Sequence, residues 1–372
     1  MPTTLFVEPH PSGHRFQAVA HLLPSAAQRS DVVLLTSKGA RDDPAFAEHL
    51  GGLDLQIHEA FGSIEPSAAE VVAEVERWQA DVEVDRVVLM DADQALKRWF
   101  WAARRLRRPR PRVIAMLTRY PARLRWTDRT GVLLRVSKAT LVLVARMSGT
   151  LHHAAGFAGR DDLSRGWVVR RARDPETSSA RSHDRAQLRD WHDLPEGRRI
   201  VGIFGVVTAR KHPHLVWEAL ESADVEADLL LGGALSPDMA EWASGVVSGP
   251  RRRLLLHDRY LSNRDLDELV AACDAVALIM TNNGPSGIQG KALAAGVPVV
   301  TAGSLVRARE ARLTGGGVSA DLDAQSIGAA IAQVLDAPHT TRSGQVPPAT
   351  PEEFAAAVLG EAPATSDRRS SR

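Results

Sequence analysis

The sequence predicts an α/β protein built from doubly wound parallel sheets, and three observations carry that prediction. Short runs of Val, Leu and Ile recur without the polar–apolar alternation of a half-exposed strand, as strands covered on both faces require. Helix-like stretches separate these runs, giving a β-then-α rhythm. A polar stretch from 171 to 197, poor in branched aliphatics, divides the rhythm in two. The 372 residues suit two domains, each able to bury its own core.

The first domain, residues 1–175, is expected to hold strands at 4–8, 31–36, 86–90, 113–117, 140–145 and 166–170, with helices at 15–23 and 68–79. Residues 176–198 read as a linker with some helix at 185–191. The second domain, 199–350, is expected to hold strands at 199–205, 227–231, 253–257, 275–280 and 297–301. Its helices fall at 213–222, 264–272, 288–295 and 324–335. Residues 351–362 form a candidate last helix, and 363–372 read as a disordered tail.

The net charge of +1 gives the whole molecule no pull toward nucleic acid. The one cysteine, Cys273, rules out an intramolecular disulfide or a multi-cysteine zinc site and reads as a buried thiol. No signal-peptide pattern opens the chain, and no run reaches the roughly 18 to 20 apolar residues of a membrane span. The expected location is cytoplasmic, with attachment to the inner face of the membrane left open.

The most informative stretch is 281–301, TNNGPSGIQGKALAAGVPVVT. A buried strand runs into a small-residue loop, a short helix opens near Ile288, and Gly296 with Pro298 leads to the next strand. Gly284 and Gly287 let backbone amides approach a ligand, and a helix N-terminus after Ser286 offers unpaired N–H groups suited to a phosphate. Ser286-Gly287 followed by KALAAGVPVV from Lys291 resembles the donor-binding signature of family 4 glycosyltransferases. That resemblance implies the GT-B fold, two Rossmann-like domains facing each other across a cleft. It also implies transfer of a sugar from a nucleotide-sugar donor with retention of configuration, without a catalytic metal or a separate cofactor, the nucleotide-sugar being a co-substrate.

The second domain opens with IVGIFGVVTARKHPHLVWEAL from Ile200, a strand ending at Gly205 and a loop from Thr208 to His212. This is similar to the family's first strand-loop-helix of the donor domain, where a loop lysine binds the diphosphate. The matching residue is Lys211, the chain's catalytic candidate. Val206 stands where relatives carry an arginine, and Arg210 is the nearest substitute. The resemblance also implies that the loop at 258–261, with Arg259 and Tyr260, touches the nucleobase; a tyrosine covering a domain edge is the other reading of Tyr260. Two glutamates of many relatives are replaced by Asn283 and Lys291. Asn283 still bonds hydroxyls, whereas Lys291 reverses the charge and either pairs with a donor anion or points away.

In the first domain, the strand-loop-helix around His10, Gly13 and His14 matches the loop that lies beside acceptor and transferred sugar. The histidine that relatives place after the central strand is absent, leaving Thr118 and Arg119 in its place. Asp91 and Asp93 read as a polar strand end rather than a metal site. The stretch from Trp99 to Arg112, three aromatics followed by arginines, reads either as a helix with solvated arginines or as a contact with an anionic membrane or acceptor. Three activities stay open: the transferase with an unknown acceptor, a nucleotide-sugar epimerase, and a silent relative that binds without turnover.

Overall fold

The computed structural model describes residues 1–11, 13–120, 129–180, 183–282, 286–337 and 344–361. The chain forms two compact units. Unit 1 comprises Met1–Ala158, Asp162–Arg173 and the chain from Thr350 onward; unit 2 comprises Gly159–Asp161 and Asp174–Ala349.

Unit 1 contains β1 (Thr3–Val7), α1 (Gly13–Ala27), β2 (Asp31–Ser37), α2 (Pro44–His49), β3 (Gln56–Phe61), α3 (Ala68–Asp81), β4 (Val84–Leu89), α4 (Leu96–Ala102), β5 (Arg112–Leu117), α5 (Arg129–Met147), β6 (His153–Ala158) and β7 (Arg170–Arg173). Its seven strands run parallel in the order β3-β2-β1-β4-β5-β6-β7. Alternate strand residues face opposite layers. Leu5, Val7, Leu35, Val87 and Val113 pack under α3, α4 and α5, while Phe6, Leu34, Val88 and Ile114 pack under α1 and α2.

Unit 2 follows with α6 (Arg185–Trp191), β8 (Ile200–Phe204), α7 (Pro213–Ser222), β9 (Asp228–Gly232), α8 (Pro237–Gly245), β10 (Leu254–His257), α9 (Asn263–Ala272), β11 (Ala275–Ile279), α10 (Gly287–Ala295), β12 (Val299–Ala302), α11 (Leu305–Thr314), β13 (Gly317–Ala320) and α12 (Ala324–Asp336). Its six parallel strands take the order β10-β9-β8-β11-β12-β13. The chain then returns to unit 1 as α13 (Pro351–Leu359), capped by the Thr350 hydroxyl, which accepts from the Glu353 amide. Phe354, Ala355, Val358 and Leu359 of α13 join the core under α1, with Phe354 stacked on Phe157.

Four sequence expectations need correction. Residues 140–145 are not a strand but the middle of α5, because a short apolar β-branched run fits either period. Only Lys138, Val142 and Ala145 of α5 are buried, at helical spacing. The strand that occupies this place in the order is β6, whose His-Ala-Ala-Gly-Phe-Ala carries little β propensity. The strand expected at 166–170 begins at Arg170, and its arginines are buried through pairs, Arg171 with Asp162 at 3.6 Å and Arg173 with Glu353 at 3.0 Å. The stretch 176–198 is no loose linker: Ala180, Leu188 and Leu194 sit in the core of unit 2. Trp99 is not a surface aromatic; it is 1% exposed, and its indole donates to the Thr150 carbonyl at 2.8 Å. Cys273 is buried, its thiol donating to the Leu269 carbonyl.

Candidate functional site

In unit 2 the first strand, β8, lies between β9 and β11. The winding therefore reverses between β8 and β11, and the loops leaving their carboxyl ends diverge to opposite layers. Open α/β sheets bind ligands at this point because no crossover helix covers it.

The loop after β8 turns at Gly205, whose φ is +78°. It then passes through a 3-10 turn over Ala209–Lys211 into α7. Lys211 folds back over Gly205, and its ammonium donates to the Phe204 carbonyl. A Cβ on residue 205 would stand 3.1 Å from that nitrogen, so glycine here serves both the turn and the lysine. Burial, and then the neighbouring Arg210 charge, pull the Lys211 pKa down from 10.5 to about 8. No carboxylate pairs with Lys211 among the described residues. The Thr208 hydroxyl beside it is buried without a hydrogen-bond partner, an expense native proteins rarely leave standing. Arg210 is exposed, as is Val206.

The loop after β11 meets α10 at Ser286, whose hydroxyl caps the helix by accepting from the Gln289 amide. Gly287 itself is exposed, and a Cβ there would meet nothing within 4 Å among the described residues. The first amides of α10, at Gly287 and Ile288, have no carbonyl within the helix to pair with. Asn283 and Gly284 lie outside the described residues.

Two buried arginines that sequence reasoning missed hold this loop. Arg307 of α11, 1% exposed, donates to the carbonyls of Met280 and Asn282 and to the Asn282 side chain, at 2.9 to 3.3 Å. Arg160, also 1% exposed, donates to the Ser286 carbonyl at 3.0 Å and pairs with Glu310 at 2.9 Å and with Asp174. Burial opposes the Arg160 charge, but Asp174 and Glu310 outweigh it and keep the pKa above its ordinary value. Arg160 crosses α10 at Gly290, where a Cβ would come within 2.3 Å of the guanidinium. The residues of this clamp are 126 positions apart in sequence, and no local motif marks them.

Lys291 departs from expectation. It is 7% exposed and turned onto α9, where it pairs with Asp267 at 2.6 Å and donates to Asn263. Asp267 in turn accepts from the amide and hydroxyl of Ser179. The lysine thus fastens α10 to α9 and to the stretch after unit 1, and its charge is already answered. Arg259 pairs with Asp265 at 2.7 Å, and Tyr260 is 63% exposed beside it.

Unit 1 repeats the strand order 3-2-1-4, and its switch point lies between β1 and β4. A polar network fills it. Arg15 of α1 pairs with Asp91 at 2.7 Å and with Glu8 at 3.3 Å. Asp93 accepts from the Thr118 hydroxyl at 2.9 Å, from the Arg119 amide at 2.8 Å and from Lys138. Asp91 and Asp93 are therefore committed to the chain's own donors, as a polar strand end should be. Thr118 and the backbone of Arg119 serve the same purpose, while the Arg119 side chain is exposed. The His10 amide donates to Glu8 at 3.0 Å, and its ring Nδ1 is buried without a partner. Gly13 opens α1 and His14 stands in its first turn, with a side chain outside the described part. Sequence reasoning passed over Glu8, although an acid ending an apolar strand was there to be seen. Burial raises its pKa from 4.5 to about 7, only partly offset by Arg15, which binds Asp91 more closely.

No family model matches this sequence, and neither does any curated protein. Solved structures do match. Anabaena Alr3699/HepE in complex with UDP-glucose is 16% identical at a TM-score of 0.60, covering 97% of this chain and 94% of that one. A glycosyltransferase from Rickettsia africae ESF-5 is 13% identical at 0.59, with 97% and 94% covered. The UDP-GlcNAc 2-epimerase of Methanocaldococcus jannaschii is 11% identical at 0.57, with 97% and 99% covered. At such identities the likeness establishes the fold: two Rossmann-like units in the GT-B arrangement of the chain.

Two outcomes follow from this geometry. Gly→Ala in an open helix stabilises by up to about 1 kcal/mol; Gly290→Ala should instead destabilise by about 1 to 3 kcal/mol, because Arg160 is locked by two carboxylates and cannot yield. A denaturant midpoint at or above that of the parent would refute the clamp. Glu8 binds a proton more tightly folded than unfolded, so its contribution is full below about pH 4.5 and is lost as pH rises through about 7. The loss amounts to roughly 3 kcal/mol. Glu8→Gln should be flatter than the parent across that window in thermal unfolding; parallel pH profiles would contradict the shift.

Proposed function

We propose that this protein is a glycosyltransferase that moves a sugar from a nucleotide-sugar donor to an acceptor. The observation that carries the reading is the pair of loops at the β8/β11 switch point. One presents an ammonium with no carboxylate partner among the described residues, over a turn that only glycine suits. The other presents a helix N-terminus capped by Ser286, with Gly287 exposed in its first turn. Positive charge and unpaired amides on neighbouring loops suit a diphosphate. Anabaena HepE, with the same fold, is solved with UDP-glucose, which makes a uridine diphosphate sugar the first donor to try.

In this reading the donor's diphosphate lies between Lys211 and the amides of Gly287 and Ile288. As the glycosidic bond breaks, negative charge builds on the leaving diphosphate, and Lys211 meets it without the reorganisation that bulk water would need. The Thr208 hydroxyl gains the hydrogen-bond partner it lacks. Membership of family 4, transfer with retention by attack on the face of the departing phosphate, a hexose as the sugar, and action at the cytoplasmic side all belong to this proposal. Charge on the leaving group falls to Lys211 and the amides, so the reading calls for no metal ion and no cofactor beyond the donor itself.

A second reading, a relative that binds the donor without turnover, draws on the position where relatives carry a histidine. Thr118 stands there with its hydroxyl given to Asp93, so it is not free to serve an acceptor. Incubation with UDP-, GDP-, ADP- and dTDP-sugars separates the possibilities: slow donor hydrolysis supports the transferase, a changed sugar supports the epimerase, and binding alone marks a silent relative. Lys211→Ala should weaken UDP binding by about 1 to 3 kcal/mol. A bound diphosphate holds Lys211 protonated, whereas the free lysine loses its proton above about pH 8. Calorimetry should therefore show UDP affinity falling above that pH with proton uptake, and Lys211→Ala should lose both effects. Unchanged affinity in the variant would place the diphosphate elsewhere.

A further inference from the structure

The face of α5 turned away from the sheet is apolar and uncovered. Leu133 is 71% exposed, Val136 56%, Leu143 42%, Val144 43% and Met147 88%. At 3.6 residues per turn these positions fall on one side of the 19-residue helix, with the exposed Thr140 among them, so they form one stripe. Two exposed tryptophans lie on segments that adjoin α5. Trp101, 67% exposed, belongs to α4, which packs beside α5 in the same layer, and the Arg104 guanidinium lies over its ring at 5.6 Å. Trp167, 95% exposed, adjoins Val168, whose carbonyl accepts from Arg146 near the end of α5.

The segment that carries α4 and α5 is almost wholly cationic. Residues 94–147 contain fifteen lysines and arginines against a single acid, Asp128, in a chain whose net charge is +1. Among the described residues no carboxylate pairs with Arg98, Arg104, Arg105, Arg107, Arg108 or Arg135. An apolar stripe, with exposed tryptophans and unpaired arginines on the same and adjoining segments, matches the boundary of an anionic bilayer, where apolar side chains enter the acyl region, indoles sit at headgroup level and cations meet lipid phosphates. A nucleic acid would answer the charge but leave the stripe in water. A second copy of the chain would cover the stripe but bring the same cations against themselves.

We propose that unit 1 docks on anionic phospholipid through the outer face of α5, with Trp101 and Trp167 as interfacial anchors. The surface holds the protein flat on a membrane without spanning it; among the described residues no helix is long and apolar enough to cross one. It stands independently of the donor site, which lies in unit 2.

The test is flotation of the full chain with phosphatidylcholine vesicles, with and without phosphatidylglycerol. Recovery should rise about tenfold with the anionic lipid and fall again as salt is added. Leu133→Glu and Leu143→Glu, both on the exposed face, should each reduce recovery several-fold while circular dichroism and UDP affinity stay at parent values. Trp167→Ala, on a separate segment, should also reduce it. Equal recovery on both lipids overturns the proposal. So does recovery unchanged by the Glu variants, which would mark a purely ionic contact of the kind heparin or DNA also makes. A dimer in solution that Leu133→Glu dissociates would assign the stripe to a second copy and overturn it equally.

Discussion

In both units the first strand is hydrogen-bonded on each side, to the second strand and to the fourth. Everything functional follows from that constraint. The chain winds outward in one direction for three strands and must then cross back to begin on the other side of the first. Crossover helices leave the starting point in opposite directions, and a gap opens at the carboxyl ends of strands one and four. Polar groups gather there, either partly open to solvent or buried and paired with one another, as Glu8 is with Arg15. In unit 2 the gap is framed by Lys211 and the N-terminus of α10; in unit 1 it holds Glu8, Arg15 and Asp91.

Three half-hidden or buried lysines show how partners decide what a charge is for. Lys138 gives its proton donors to Asp93 and the Arg119 carbonyl, and so fixes a loop. Lys291 gives its donors to Asp267 and Asn263, and so fixes two helices to each other. Each is a charge already answered, and removing either partner would leave the other stranded. Lys211 has only a carbonyl, and burial weakens its hold on the proton. In the proposed reading that unanswered cation is the one the donor diphosphate meets. The neighbouring loop is held the opposite way, by Arg160 and Arg307 clasping the carbonyls of Ser286 and Asn282.

Much of the fold was legible because buried parallel strands are plain apolar runs, and the caps and glycines between them are local signals. β8, β9, β11 and α7 sit within a residue or two of their expected bounds for that reason. β6 was not legible, since a strand of Ala, Gly and His earns its place from neighbours on both sides rather than from its own composition. The loops of the candidate site were legible as small residues at strand ends. Their direction was not: Lys211 and Lys291 read alike in sequence, and only packing against α9 turns the second inward. The clamp through Arg160 was beyond any local reading, because Ser286, Glu310 and Gly290 converge on it from far along the chain.

The misreading of α5 as a strand and its uncovered stripe have a common origin. A helix that only covers a sheet needs one apolar face, with polar residues elsewhere. In α5 only Lys138, Val142 and Ala145 are buried against unit 1, yet Leu, Val and Met fill the outward positions as well. That surplus erases the helical period and makes the segment look like a buried strand. It also leaves apolar side chains in water at a cost of about 25 cal/mol per Å² for as long as nothing covers them. Composition that weakens the local code without serving the core must be accounted for outside it, and the arginines of the same segment, few of them answered by carboxylates, are why the proposed partner is anionic.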